Sequence, residues 1–153
     1  MFLIRIQIIF LMALTFLFSQ DETRPEDTTP PELLNVTISP DFVDVTESSQ
    51  IVTVTVEISD DISGIQQIYG FFYSPSGQSI WFNFSPSGDE LQQVLTRDVT
   101  FNENIESGTW SVDDIGIQDQ ASNWAYFNTQ DMVDLGFETQ VEVTSIQDIT
   151  PPQ

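Results

Sequence analysis

The sequence predicts an all-β chain folded as an antiparallel β-sandwich of seven to nine short strands. Three observations carry this expectation. Val52, Val54, Val56 and Ile58 alternate with Thr53, Thr55 and Glu57, the period-two signature of a strand with one buried face. Turn residues recur at short, regular spacing from Pro40 to Gly136. No stretch after residue 20 carries an apolar stripe of helical period long enough for several turns. Many short strands with turn signals between them and no long helix describe a sandwich of the immunoglobulin-like kind. The sequence has 153 residues and no cysteine, so one domain without a disulfide must hold itself together by its core.

Met1–Phe18 carries a single charge, Arg5, followed by an apolar run, and Ser19 precedes the polar Gln20-Asp21-Glu22. This is the layout of a secretory signal peptide over 1–19, too short for a membrane span of about 20 apolar residues, so the mature chain is expected to be secreted or at the cell surface with no membrane span after cleavage. Residues 20–31 are polar and rich in Thr and Pro, a linker with little to bury.

The sandwich is expected over 32–147. Leu33–Ser39 begins it, Pro40 interrupts, and Phe42–Thr46 resumes, a split strand suited to a sheet edge. Ile51–Ser59 is the central strand and runs into the acidic turn Asp60–Gly64. Ile65–Tyr73 and Ser79–Phe84 form a hairpin around Ser74-Pro75-Ser76-Gly77, and a second Ser-Pro-Ser-Gly turn fills Ser85–Gly88. Leu91–Phe101 is a strand marked by Val94, Val99 and Phe101. In Thr109–Gln118 the inward set Trp110 and Val112 gives way to Ile115 and Ile117, a slip that predicts a β-bulge at Asp113-Asp114. Asp119–Asn123 is a second acidic turn, Trp124–Phe127 a short extended piece, and Thr129–Gly136 one helical turn ended by glycine. Phe137–Ser145 closes the domain with Val141 and Val143 inward.

Asp148-Ile149-Thr150-Pro151-Pro152 repeats Asp27-Thr28-Thr29-Pro30-Pro31, so 148–153 reads as the start of another linker. Recurrence of a linker at the far side of a domain marks tandem modules, either a piece of a longer array or an array reduced to one unit.

Together, Asp27-x-Thr-Pro-Pro, the Val-Thr-Val-Thr-Val strand before Asp60-Asp61-Ile62-Ser63-Gly64, Glu106-Ser-Gly-Thr-Trp-Ser-Val and Ile117-Gln-Asp-Gln-Ala-Ser-Asn123 resemble bacterial extracellular Ig-like repeat modules. The resemblance spans about 27–144. It implies a spacer, adhesive stalk or accessory domain, whose partners are neighbouring modules of the same protein, surface proteins or glycans. In that family the last motif ends Asp-x-Ala-Gly-Asn. Ser122 stands here in place of the glycine, so this turn has to be made by a residue with a Cβ.

The charge narrows the function classes. Twenty-four acidic residues against three basic ones give a net charge of −21. Such a surface repels nucleic acid and anionic membranes and attracts divalent cations. Histidine, cysteine and lysine are absent, which removes the common nucleophiles and bases, so the chain is expected to be non-catalytic.

In an immunoglobulin-like topology the turns after the second and sixth strands and the start of the first share one end. Asp27, Asp60, Asp61, Asp119 and Asn123 should therefore converge. They offer only oxygen, which suits Ca²⁺, with an affinity on the order of 10⁻⁴–10⁻³ M for an extracellular module. The alternative is that these side chains only cap their own turns.

A second candidate is aromatic. Tyr69, Phe71, Tyr73, Trp81, Phe82, Phe84, Trp124 and Tyr126 are many rings for a small domain. Alternation puts Trp81 on the face opposite Phe82 and Phe84, where Tyr69, Phe71 or Tyr73 would join it in an outer strip. Such a strip serves to stack sugar rings, as in a carbohydrate-binding accessory module, or to pack against a neighbouring module.

Overall fold

The computed structural model describes residues 26–146. The expected signal peptide, most of the expected linker and the repeated motif at Asp148 lie outside the described residues. Within them, nine strands and one short helix follow in order: β1 Glu32–Ser39, β2 Phe42–Asp44, β3 Gln50–Ser59, β4 Ile65–Tyr73, β5 Ser79–Phe84, β6 Gln92–Phe101, β7 Gly108–Asp119, β8 Trp124–Phe127, α1 Thr129–Asp134 and β9 Gln140–Thr144. No helix among the described residues is long and apolar enough to cross a membrane.

The strands make two sheets. One has the order β1-β3-β6; the other runs β2-β9-β7-β4-β5, with β8 also pairing β7. The pairs are antiparallel except β2 with β9, which is parallel. The expected purely antiparallel arrangement is corrected at that pair. The cause is the break at Pro40, which has no N–H to continue the first ladder. The chain leaves the edge of the first sheet there, keeps its direction, and is received at the edge of the second beside β9.

The core lies between the sheets. Val52, Val54, Val56 and Ile58 of β3 are fully buried, and they face Ile65, Ile68 and Phe72 of β4 and Val112, Ile115 and Ile117 of β7. Phe72 meets Phe101 across the sheets with ring centroids 5.1 Å apart, and Trp110 meets Phe101 at 5.5 Å. These edge-to-face contacts are worth about 0.5–1.5 kcal/mol each beyond the area they bury. The predicted bulge is present. Tyr69 pairs Gly116 and Phe71 pairs Asp113, leaving two β7 residues opposite one of β4, and Asp114 takes φ 52°. α1 is a single capped turn, Asn128 accepting from the Asp131 N–H, and Gly136 follows it at φ 82°.

β6 departs from expectation. Val94 is 64% exposed, while its neighbour Gln93 is buried. The reason is a hydrogen-bond clamp. Gln93 Oε1 accepts from the Ser87 N–H at 2.7 Å, and its Nε2 donates to Ser87 O at 2.7 Å and Glu90 O at 3.2 Å. The amide thereby satisfies the backbone of the turn before β6, and the strand begins on Gln93's phase.

Candidate functional site

One end of the sandwich gathers the turns 60–64, 85–91 and 119–123 with the segment leading into β1. Asp60 follows β3 and closes its own turn. Its Oδ2 accepts from the Gly64 N–H at 2.6 Å, the Ile62 N–H at 3.2 Å and the Ser63 hydroxyl at 3.4 Å. Gly64 sits at φ 83°, and a Cβ there would lie 2.3 Å from Gly88 O, so only glycine lets this turn meet its neighbour. Gln120 N–H then donates to Gly64 O at 2.8 Å and Asp60 N–H to Leu91 O at 2.7 Å, locking the three turns together.

The leading segment docks onto this end. Asp27 Oδ2 accepts from the Ser63 N–H at 3.0 Å. Asn123 Nδ2 donates to the backbone carbonyls of Asp27 at 3.2 Å and Thr29 at 3.4 Å. As a result, one carboxylate oxygen from each of Asp27, Asp60 and Asp61 lies within 4.8 Å of the others. Asp60 is 8% exposed, and its Oδ1 is buried without a hydrogen-bond partner. A buried carboxylate oxygen without a protein donor is costly, and a cation beside it would offset that cost.

The five oxygen donors expected from the sequence therefore divide. Asp27, Asp60 and Asp61 come together. Asp119 and Asn123 lie beside them but are engaged with each other. Asp119 is wholly buried, its Oδ1 accepting from the Asn123 N–H and its Oδ2 from Asn123 Nδ2, each at 2.7 Å. Asn123 thus acts through its nitrogen, as the clamp on the Asp27 segment. Ser122, the residue in the glycine's place, adopts φ 76°, so the tight turn is made with a serine in the left-handed region. The donor set suits a hard divalent cation, since every atom offered is a carboxylate oxygen.

The aromatic strip lies on the outer face of the larger sheet. Tyr69, Phe71 and Tyr73 of β4 are half-buried in a row, with centroids 6.2 Å and then 5.8 Å apart. Trp81 of β5 pairs with Phe71 directly across the strands and is 56% exposed. Two rings that sequence reasoning left outside the strip extend it. Trp124 stands 6.1 Å from Tyr69, and Tyr126 stacks on Trp124 at 5.4 Å with the planes 4° apart. Only the return of β8 onto β7 brings them there, and period-two patterning says nothing of that return. Burial raises the Tyr69 phenol above its ordinary pKa, with Tyr126 and Asp114 adding to the effect. Between β4 and β5 a groove of about 420 Å³ is lined by Gln67, Tyr69, Phe71, Trp81 and Asn83, with Ile68 and Phe84 behind them. A larger groove of about 710 Å³ lies at the opposite end, between Ile38–Asp41 and Phe137–Gln140, and contains neither the carboxylate cluster nor the aromatic strip.

Glu106 was not singled out by the sequence. Its carboxylate accepts from the Ser74 hydroxyl, the Ser76 hydroxyl and the Ser76 N–H, while its carbonyl accepts from Trp110 Nε1 at 2.9 Å. It ties the β4–β5 hairpin to the start of β7, and these bonds hold its pKa below the usual value.

No protein-family model matches the sequence, and no curated protein matches it significantly. Among solved structures the fold is similar to part of Cwp6 from Clostridium difficile, with a TM-score of 0.52 at 12% identity over 78% of this chain. That match spans 19% of the Cwp6 chain. At this identity the likeness is one of fold.

Proposed function

We propose that this chain is an immunoglobulin-like module with a structural or adhesive role in a secreted or surface bacterial protein, and that a divalent cation, Ca²⁺ in first place, fastens its leading linker. The strand orders support the fold type: β1-β3-β6 correspond to strands A-B-E, and β2-β9-β7-β4-β5 to A′-G-F-C-C′. The Phe72, Phe101 and Trp110 cluster joins the two sheets by ring contacts in a domain without a disulfide. The likeness to a segment of a Clostridium difficile protein supports a bacterial setting for the module.

Two observations carry the cation reading: the carboxylates of Asp27, Asp60 and Asp61 converge, and Asp60 holds a buried oxygen, Oδ1, with no hydrogen-bond partner. Asp27 belongs to the linker and Asp60 and Asp61 to the turn after β3, so one ion would join the two. It would supply charge neutralisation and a rigid link, which is what a spacer needs at a junction between modules. The chain's own residues do the rest: Asn123 holds the linker backbone, and Ser63 orients Asp27. Melting the protein in CaCl₂ and in a chelator tests this. The expected result is a higher midpoint in calcium, by RT ln(1 + [Ca]/Kd), or about 1.4 kcal/mol at tenfold over Kd. An unmoved midpoint would remove the cation from the proposal.

A further inference from the structure

The aromatic face is a second feature, independent of the acidic end. We infer that the outer face of the larger sheet, from Trp81 across Phe71 and Tyr69 to Trp124, binds a neutral polysaccharide.

Three properties of the face select this ligand class. The first is shape and spacing. Successive rings lie 5.8–6.2 Å apart along Tyr73, Phe71, Tyr69 and Trp124; Tyr73 and Phe71 are within 29° of parallel, while Tyr69 stands edge-to-face to Phe71 and Trp124, so the strip is a stepped row of rings on which the C–H faces of sugar units can rest. The rings are also held in place. A Cβ at Gly116 would lie 2.6 Å from Tyr69 Cζ, so the phenol ring rests directly on the β7 backbone, which only glycine permits. Preorganised rings lose little side-chain freedom on binding.

The second property is the mixture of groups. The groove beside Trp81 has a volume of about 420 Å³, within the about 300–1,000 Å³ of ordinary ligand clefts. Gln67 and Asn83 line it, and Gln67 Nε2 donates to Gln118 Oε1 at 2.6 Å. Stacking rings flanked by amides suit a ligand with apolar faces and hydroxyl edges.

The third property is charge. The chain carries −21, and Asp113 and Asp114 flank the strip on β7. Uronic-acid, sulfated and phosphorylated polymers are repelled, and so is a second copy of the same chain. A neutral glycan is not.

The test is a titration of tryptophan fluorescence in a chelator, so that its outcome is separate from any cation effect. The probes are cellohexaose, xylohexaose, mannohexaose, laminarihexaose and chitohexaose, with polygalacturonate as the anionic control. At least one neutral hexaose is expected to change the emission saturably at up to millimolar concentration, while polygalacturonate does not. Trp81→Ala should weaken the effect about tenfold, the scale of one lost ring contact of 1.4 kcal/mol. Tyr126→Ala, at the far end of the strip, should weaken it less. Both side chains are more than half exposed, and melting of the variants confirms that they fold. The inference is overturned if none of the neutral hexaoses binds, if Trp81→Ala binds like the parent, or if polygalacturonate binds equally well. A dimer in sedimentation that Trp81→Ala dissolves also overturns it, by assigning the face to a second copy.

Discussion

Asp60→Asn separates the two jobs of this carboxylate and has an expected effect whose sign depends on calcium. The amide oxygen can still accept from Gly64, Ile62 and Ser63, so the turn keeps its closure. The amide nitrogen takes the place of Oδ1, which is buried and has no hydrogen-bond partner, and the side chain no longer carries a charge beside Asp27 and Asp61. Two carboxylates within 4.8 Å repel by about 1 kcal/mol at the dielectric of water and about 3 kcal/mol at that of a protein surface. Asp60 is buried, so the effect belongs toward the upper figure, less about 1 kcal/mol for the weaker bonds that an uncharged amide oxygen accepts from the turn. With a chelator present the variant should be more stable than the parent by about 2 kcal/mol, or roughly 6–12 °C in melting temperature for a domain of this size. In calcium the parent gains the ligation energy, and the variant, lacking one of three carboxylates, gains little. The gap should therefore shrink or reverse. Differential scanning calorimetry in both conditions reads it directly. If the variant melts below the parent in chelator, the buried oxygen carries no electrostatic burden and the reasoning from it is wrong. If calcium raises both midpoints alike, the ion is bound elsewhere.

Ser122→Gly should stabilise the fold by about 0.5–1 kcal/mol, read as a higher denaturant midpoint with an unchanged slope, because a serine at φ 76° carries a left-handed strain of about 1–2 kcal/mol that glycine lacks, less glycine's extra unfolded-state entropy; an unchanged or lower midpoint contradicts this. Asn123→Ala should lower the apparent calcium affinity, read from the melting shift against calcium concentration, even though no carboxylate of the cluster is removed, because the Asp27 segment loses its clamp; an unaltered affinity means that Asp27 is held by other contacts. Glu106 has its pKa lowered by hydrogen bonds from Ser74 and then Ser76. Its stabilisation is therefore present above the unfolded-state value and lost as pH falls through the folded value. Glu106→Gln should flatten that acid limb in urea midpoints measured from about pH 6 to about pH 3, and a limb of unchanged steepness assigns it to other carboxylates.

The strands were legible because burial of one face writes itself into period two. Val52 to Ile58 could not be anything else, and the phase slip before Ile115 announced its bulge. What sequence did not show was governed by single polar side chains acting over distance. Gln93 sets the phase of β6 by satisfying a turn six residues away, so Val94 is left outside although its own preference is inward. The parallel pair of β2 with β9 depends on where the chain goes after Pro40, and the hydropathy of Phe42–Asp44 is the same for either sheet.

The acidic end divides on the same principle. Residue type and loop position named five oxygen donors, but a single amide decides which three converge. Asn123 bonds Asp119 on one side and the backbone of 27–29 on the other, so both oxygens of Asp119 are occupied by hydrogen bonds while Asp27 is delivered to Asp60 and Asp61. Asn123 also directly precedes Trp124, the first residue of the strand that adds two rings to the aromatic face. One turn, held by a serine in a glycine's conformation, thus positions both the linker clamp and the end of the ring strip. A change of shape there reaches both surfaces, whereas Trp81, on the far edge strand, reports on the aromatic face alone. The pair Ser122→Gly and Trp81→Ala therefore separates what the two surfaces share from what each does by itself.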